Sequence, residues 1–139
     1  THARPWSASG VQRAADDPYV QQRYGDLWLY VRAAQAVVDA AVQKLEAALA
    51  RGEALTAEER GDVAVAGAEA KVLAHRAGLE VSTQLFELTG ARSTAARFGL
   101  DRFWRNARVH TLHDPVDYKL RDLGRFRLEG RIPEATSYS

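Results

Sequence analysis

Apolar residues recur every three or four positions over two long stretches of the chain. Val20, Tyr24, Leu27, Val31, Ala34, Val38, Val42, Leu45 and Leu49 trace the first stripe, the period of an amphipathic helix. Asp17-Pro18 predicts its start: the carboxylate can accept a free first-turn N–H, and proline fits the first helical position. Arg51-Gly52 predicts its end, a cation beside the C-terminus followed by a residue free to turn left-handed. At 1.5 Å per residue such a helix is roughly 50 Å long. After a short turn, Thr56 and Glu59 stand at capping-box spacing. A second stripe then runs through Val63, Ala66, Ala70, Leu73, Ala77, Val81, Leu85 and Leu88 to a stop at Gly90. Gly61, Gly67 and Gly78 interrupt it with small surfaces that let a neighbouring backbone come close.

Two shorter helices follow. A broken segment over 93–99 leads to one near 101–112, and Asp114-Pro115 repeats the cap-then-proline pattern before another ending at Gly130. Residues 1–16 read as an extended arm and residues 131–139 as a tail. No stretch reads convincingly as a strand. The short connection between the long helices makes them antiparallel, and the expectation is a single all-α domain, an up-and-down four-helix bundle.

Composition narrows the functional classes. The 139 residues suit one packed core. Nineteen Lys and Arg against 18 Asp and Glu leave a formal charge of +1, too little for an overall field that attracts nucleic acid or an anionic membrane. The absence of cysteine excludes disulfides, thiolate metal sites and thiol catalysis. With no signal-like or membrane-length apolar run, it points to the cytoplasm.

Three places hold candidate chemistry. His110 and His113 lie three apart, next to Asp114, and share a face if the helix reaches them. A metal pair, a general acid/base pair and imidazoles satisfying free helix-end carbonyls all remain open. Gly90-Ala91-Arg92-Ser93-Thr94 sets small residues before a guanidinium and two hydroxyls, which suits a phosphate but also describes a plain helix stop and loop. Arg4-Pro5-Trp6 could clamp an anionic aromatic ligand or simply pin the arm. The Arg-rich aromatic cluster around Phe103 and Trp104 is diluted by Asp101, Asp114, Asp117 and Asp122, which favours ion-paired helix surfaces over nucleic-acid binding.

Arg4-Pro5-Trp6, Ala15 to Tyr19, Phe86 to Arg92 and above all Asp101 to Pro115 give the chain a resemblance. It resembles the C-terminal helical domain of the acyl-CoA dehydrogenase superfamily, in its flavin-dependent monooxygenase branch. The resemblance implies a three-domain flavoenzyme about three times this length, of which this chain is one part, usually a homotetramer with the bundles at its centre. It implies that Arg4 and the Gly90, Ala91, Arg92 and Ser93 turn contact a flavin, FMN in preference to FAD, that a partner reductase supplies in reduced form. It also implies that His113, helped by His110, acts as acid or base near that flavin during oxygenation of a small-molecule substrate; no metal is implied. Many true dehydrogenases of the superfamily carry Tyr-Glu-Gly where this chain has His113-Asp114-Pro115. An Asp used as a helix cap is a poor proton-abstracting base, because its oxygens already accept backbone N–H bonds and its pKa should fall. That favours oxygenation, with an FAD-dependent dehydrogenase and a non-enzymatic helical oligomerisation module as the alternatives.

Overall fold

The computed structural model describes residues 3–136. The first two residues of the expected arm and the last three of the expected tail lie outside the described residues. Among the described residues the fold is all-α, as expected, with four α-helices: α1 (Pro18–Arg51), α2 (Ala57–Thr89), α3 (Asp101–His113) and α4 (Val116–Glu129). Local chemistry sets most boundaries. Asp17 accepts from the Tyr19 N–H at 2.8 Å, with Pro18 at the first helical position. Thr56 and Glu59 form the reciprocal capping box, at 3.2 and 2.8 Å. The Thr56 N–H holds the Glu59 carboxyl below its ordinary pKa. Thr56→Ala removes one half of this box and should cost about 1 kcal/mol, read as a lower midpoint in thermal unfolding.

The two long helices pack side by side and antiparallel, and α3 and α4 both pack mainly on α2. Arg23 near the start of α1 pairs with Glu87 near the end of α2 at 2.8 Å. Along α2, Gly78 meets Ala107, His75 meets His110, and Lys71 meets Asp114. Farther towards the start of α2, Gly61 meets Ile132 and Arg60 donates to the Pro133 carbonyl. The last two helices therefore run in tandem back down α2, with α4 continuing the direction of α3. At Gly61 a Cβ would collide with Ile132, so glycine there seats the described part of the tail. Gly67 has open space around it, so the close approach expected there does not occur.

Two features differ from the sequence reading. The α1 stripe is not buried along its length: Leu27 and Ala34 are, whereas Tyr24, Val31, Val42, Leu45 and Leu49 are exposed. Asp114 does not cap α4. The helix begins at Val116 behind Pro115 without a side-chain cap, and Asp114 ends α3 with its carboxylate turned to Lys71 and Lys119. Two lysine ammonium groups offer that carboxylate stronger, charge-assisted partners than a backbone N–H. An apolar trough of about 540 Å³ remains open across α1, α2 and α3, floored by Ala77 and Gly78 and walled by Val31, Val38 and Phe103. Among the described residues, no helix is long and apolar enough to cross a membrane.

Candidate functional site

The glycine turn is built from the end of α2. Gly90 closes the helix at φ +79°, a backbone region that side chains disfavour, and its N–H donates to the Phe86 carbonyl. Ala91–Thr94 then form one 3₁₀ turn. Ser93 is buried inside it. Its hydroxyl donates to the Gly90 carbonyl at 2.6 Å and accepts from the Thr89 hydroxyl at 2.7 Å. The single hydroxyl proton of Ser93 is thereby committed, so this side chain shapes the turn and has no proton left for an anion. Arg92 lies exposed at the surface of the same turn. The N–H groups of Ala91 and Arg92, at its head, have no acceptor within it.

The last turn of the arm lies at the same end of the molecule. It is a short 3₁₀ turn at Ala14–Asp16 before α1, with Ala14 buried, and α1 starts where α2 finishes. Arg4 is exposed. Trp6 keeps 75% of its surface accessible, so the ring does not pin the arm to the bundle; the backbone there is held by Ser9, which donates twice to the Trp6 carbonyl.

His110 and His113 do share the last turn of α3, which reaches His113. Their surroundings diverge. The His110 ring lies 6.2 Å, centroid to centroid, from the ring of His75 on α2. His113 opens into a cleft of about 560 Å³ between α4 and the tail, lined also by Asp114, Tyr118, Lys119 and Arg125. Among the described residues, no group of three or more His, Cys, Asp or Glu side chains is placed to hold a metal ion. The arginines beside the aromatic cluster rest over rings of their own helices or pair locally: Arg102 over Phe103 at 4.9 Å, Arg105 with Asp101 at 3.1 Å.

His75 and Lys71 are additions that the sequence pattern did not single out. They stand four apart on α2, one helical turn, and face the end of α3. His75 is half-buried, with its Nδ1 buried and unpartnered. Burial first, then the charges of Lys71 and His110, push its pKa below the ordinary 6.5. The unfolded chain therefore takes up this proton before the folded one does, and stability is lost as pH falls below about 6.5. The thermal midpoint should drop between pH 7 and 5, and drop less in His75→Gln.

The turn and the imidazoles are not neighbours within one copy. His113 adjoins the Lys71–Asp114 pair and Arg92 follows the end of α2; from Lys71 to Thr89 that helix rises about 27 Å. One small ligand cannot touch both from a single copy.

The acyl-CoA dehydrogenase C-terminal domain model matches residues 1–118. The chain belongs to that family. Within it, this chain is similar to flavin-linked monooxygenases. It is 48% identical to the methanesulfinate monooxygenase of Pseudomonas fluorescens, superposing with a TM-score of 0.96 over 100% of this chain and 36% of that one. Against the FMN-bound TdsC of Paenibacillus sp. A11-2 it is 40% identical with a TM-score of 0.92, over 100% of this chain and 35% of that one. A probable FMNH2-dependent monooxygenase of Pseudomonas putida is 46% identical over 137 residues, 99% of this chain and 35% of the relative. The chain thus spans about a third of the length of the curated relatives it matches.

Proposed function

We propose that this chain forms the C-terminal wall of the flavin site in a monooxygenase that uses reduced FMN and O₂ to hydroxylate or S-oxygenate a small, mostly apolar substrate. The observation that carries the reading is its end-to-end likeness, at 40% identity, to a relative with FMN bound. When bound, reduced FMN supplies the electrons that activate oxygen. The residues here fit such a group: Arg92 offers an exposed guanidinium on a turn that Gly90 and Ser93 hold in shape, and Arg4 on the arm adds a second exposed cation. Ala91 keeps the turn small enough for close approach.

His113 is the acid/base group and His110 its helper. An imidazole titrating near neutral pH can give or take a proton at the reacting centre. The separation of Arg92 from His113 means that complete flavin sites need more than one copy, with the turn of one protomer serving the flavin of another. The open trough between α1, α2 and α3 supports such association, and a homotetramer is the assembly proposed. In this reading a separate reductase delivers the reduced flavin in the cytoplasm.

Dehydrogenation is disfavoured by Asp114. Its carboxylate is engaged by Lys71 and Lys119, and a carboxylate between two ammonium groups is a poor proton acceptor. A chimera tests the reading: this chain replaces the corresponding third of methanesulfinate monooxygenase. Oxygen-dependent turnover of methanesulfinate with reduced FMN is the expected result. A folded chimera that neither binds FMN nor turns over would overturn it, and bleaching of bound flavin by an acyl-CoA without oxygen would favour the dehydrogenase.

A further inference from the structure

His75 belongs to no part of the site as described above, yet it touches that site from behind. It projects from α2 against the ring of His110, with an interplanar angle of 30°. One turn earlier on the same helix, Lys71 holds Asp114, the residue after His113. The end of α3 that carries both imidazoles is therefore gripped at two points by one face of α2. The buried Nδ1 of His75 has no partner, and a buried imidazole that must also accommodate a proton has little means of stabilising it.

We propose that His75 is a positioning residue for His110: its neutral ring orders the His110 ring from behind, and a charge on either ring opposes a charge on the other. The inference rests on the reading of His110 as helper to the acid/base group. Its physical basis is the asymmetry of the pair. His110 lies exposed on α3, where water solvates its charged form. His75 is half-buried beside the Lys71 ammonium, and two positive charges already act on it once His110 is protonated. The groups acting on His75 are Lys71 from its own helix and His110 from α3, and Lys119 of α4 acts in turn on Lys71. Neutral His75 thus offers a fixed ring surface against which the His110 ring is ordered.

Four histidines make the proton count directly observable in the 139-residue chain. Two-dimensional NMR of the imidazole nitrogens and Cε1 protons, followed from pH 8 to 4.5, gives a midpoint for each ring. In the unaltered chain the His75 midpoint should lie below the ordinary 6.5. His110→Gln, a change at an exposed position, should raise the His75 midpoint by about 0.5, because the repelling charge is gone. His75→Gln should broaden or shift the His110 resonances at fixed pH and leave those of His113 in place. The proposal is overturned if the His75 midpoint is the same in His110→Gln, or if the His110 resonances are unmoved in His75→Gln. These midpoints are read without flavin or turnover, so an inactive chimera with coupled rings would remove the proposed reaction alone. An active chimera with independent rings would remove the role of His75 alone.

Discussion

His113→Ala, made in the chimera that joins this chain to the first two-thirds of methanesulfinate monooxygenase, is expected to lower oxygenation about 100-fold, the scale of a lost general acid or base. FMN binding should be little changed, because the cations assigned to the flavin are Arg4 on the arm and Arg92 on the turn after α2, not residues at the end of α3. Single-turnover kinetics with reduced FMN separate the two effects. Turnover at the level of the unaltered chimera would end the assignment of His113, and loss of FMN binding alone would make it a structural residue. His110→Gln should cost less, since that ring is placed beside His75 and not in the cleft that His113 opens into.

The second large effect concerns stability. Asp114 and Lys71 keep only 21% and 23% of their side-chain surface accessible, and Lys119 approaches the same carboxylate at 3.8 Å. Asp114→Ala leaves two partly buried ammonium groups facing each other, and burial together with Lys119 already pushes the Lys71 pKa below its ordinary 10.5. Breaking such a pair by removing one partner costs about 2 kcal/mol once partial exposure is allowed for, a fall in thermal midpoint of about 8 °C for a chain of this size. Adding Lys71→Met should recover part of the loss, since the orphaned charge goes with it. A double variant no more stable than Asp114→Ala would show that the bridge is not what holds the end of α3 to α2.

What was legible in the sequence was whatever a few neighbouring residues decide. Asp17-Pro18, Thr56 with Glu59, Gly52 and Gly90 each act on the backbone next to them, so the ends of the two long helices fall where their local chemistry puts them. Asp114-Pro115 carries the same local signature and still does not cap its helix. Its outcome was settled by Lys71, 43 residues earlier in the chain, and no local pattern encodes that distance. The α1 stripe has helical period whether or not anything covers it, so its exposure could not be read from period alone. His75 was hidden for a similar reason: it stands alone in a helix rich in alanine, and its meaning comes from a ring on another element. A Lys and a His four apart on the face that holds those alanines was the one available signal.

The open surface leaves a spectroscopic mark. All three tryptophans of the chain are partly or largely solvent-accessible, Trp6 at 75%, Trp28 at 53% and Trp104 at 42%. Their indole emission in a lone copy is therefore that of wetted fluorophores even in the native state. A blue shift on raising concentration would signal rings being covered between copies, so intrinsic fluorescence follows assembly of this domain more directly than its folding.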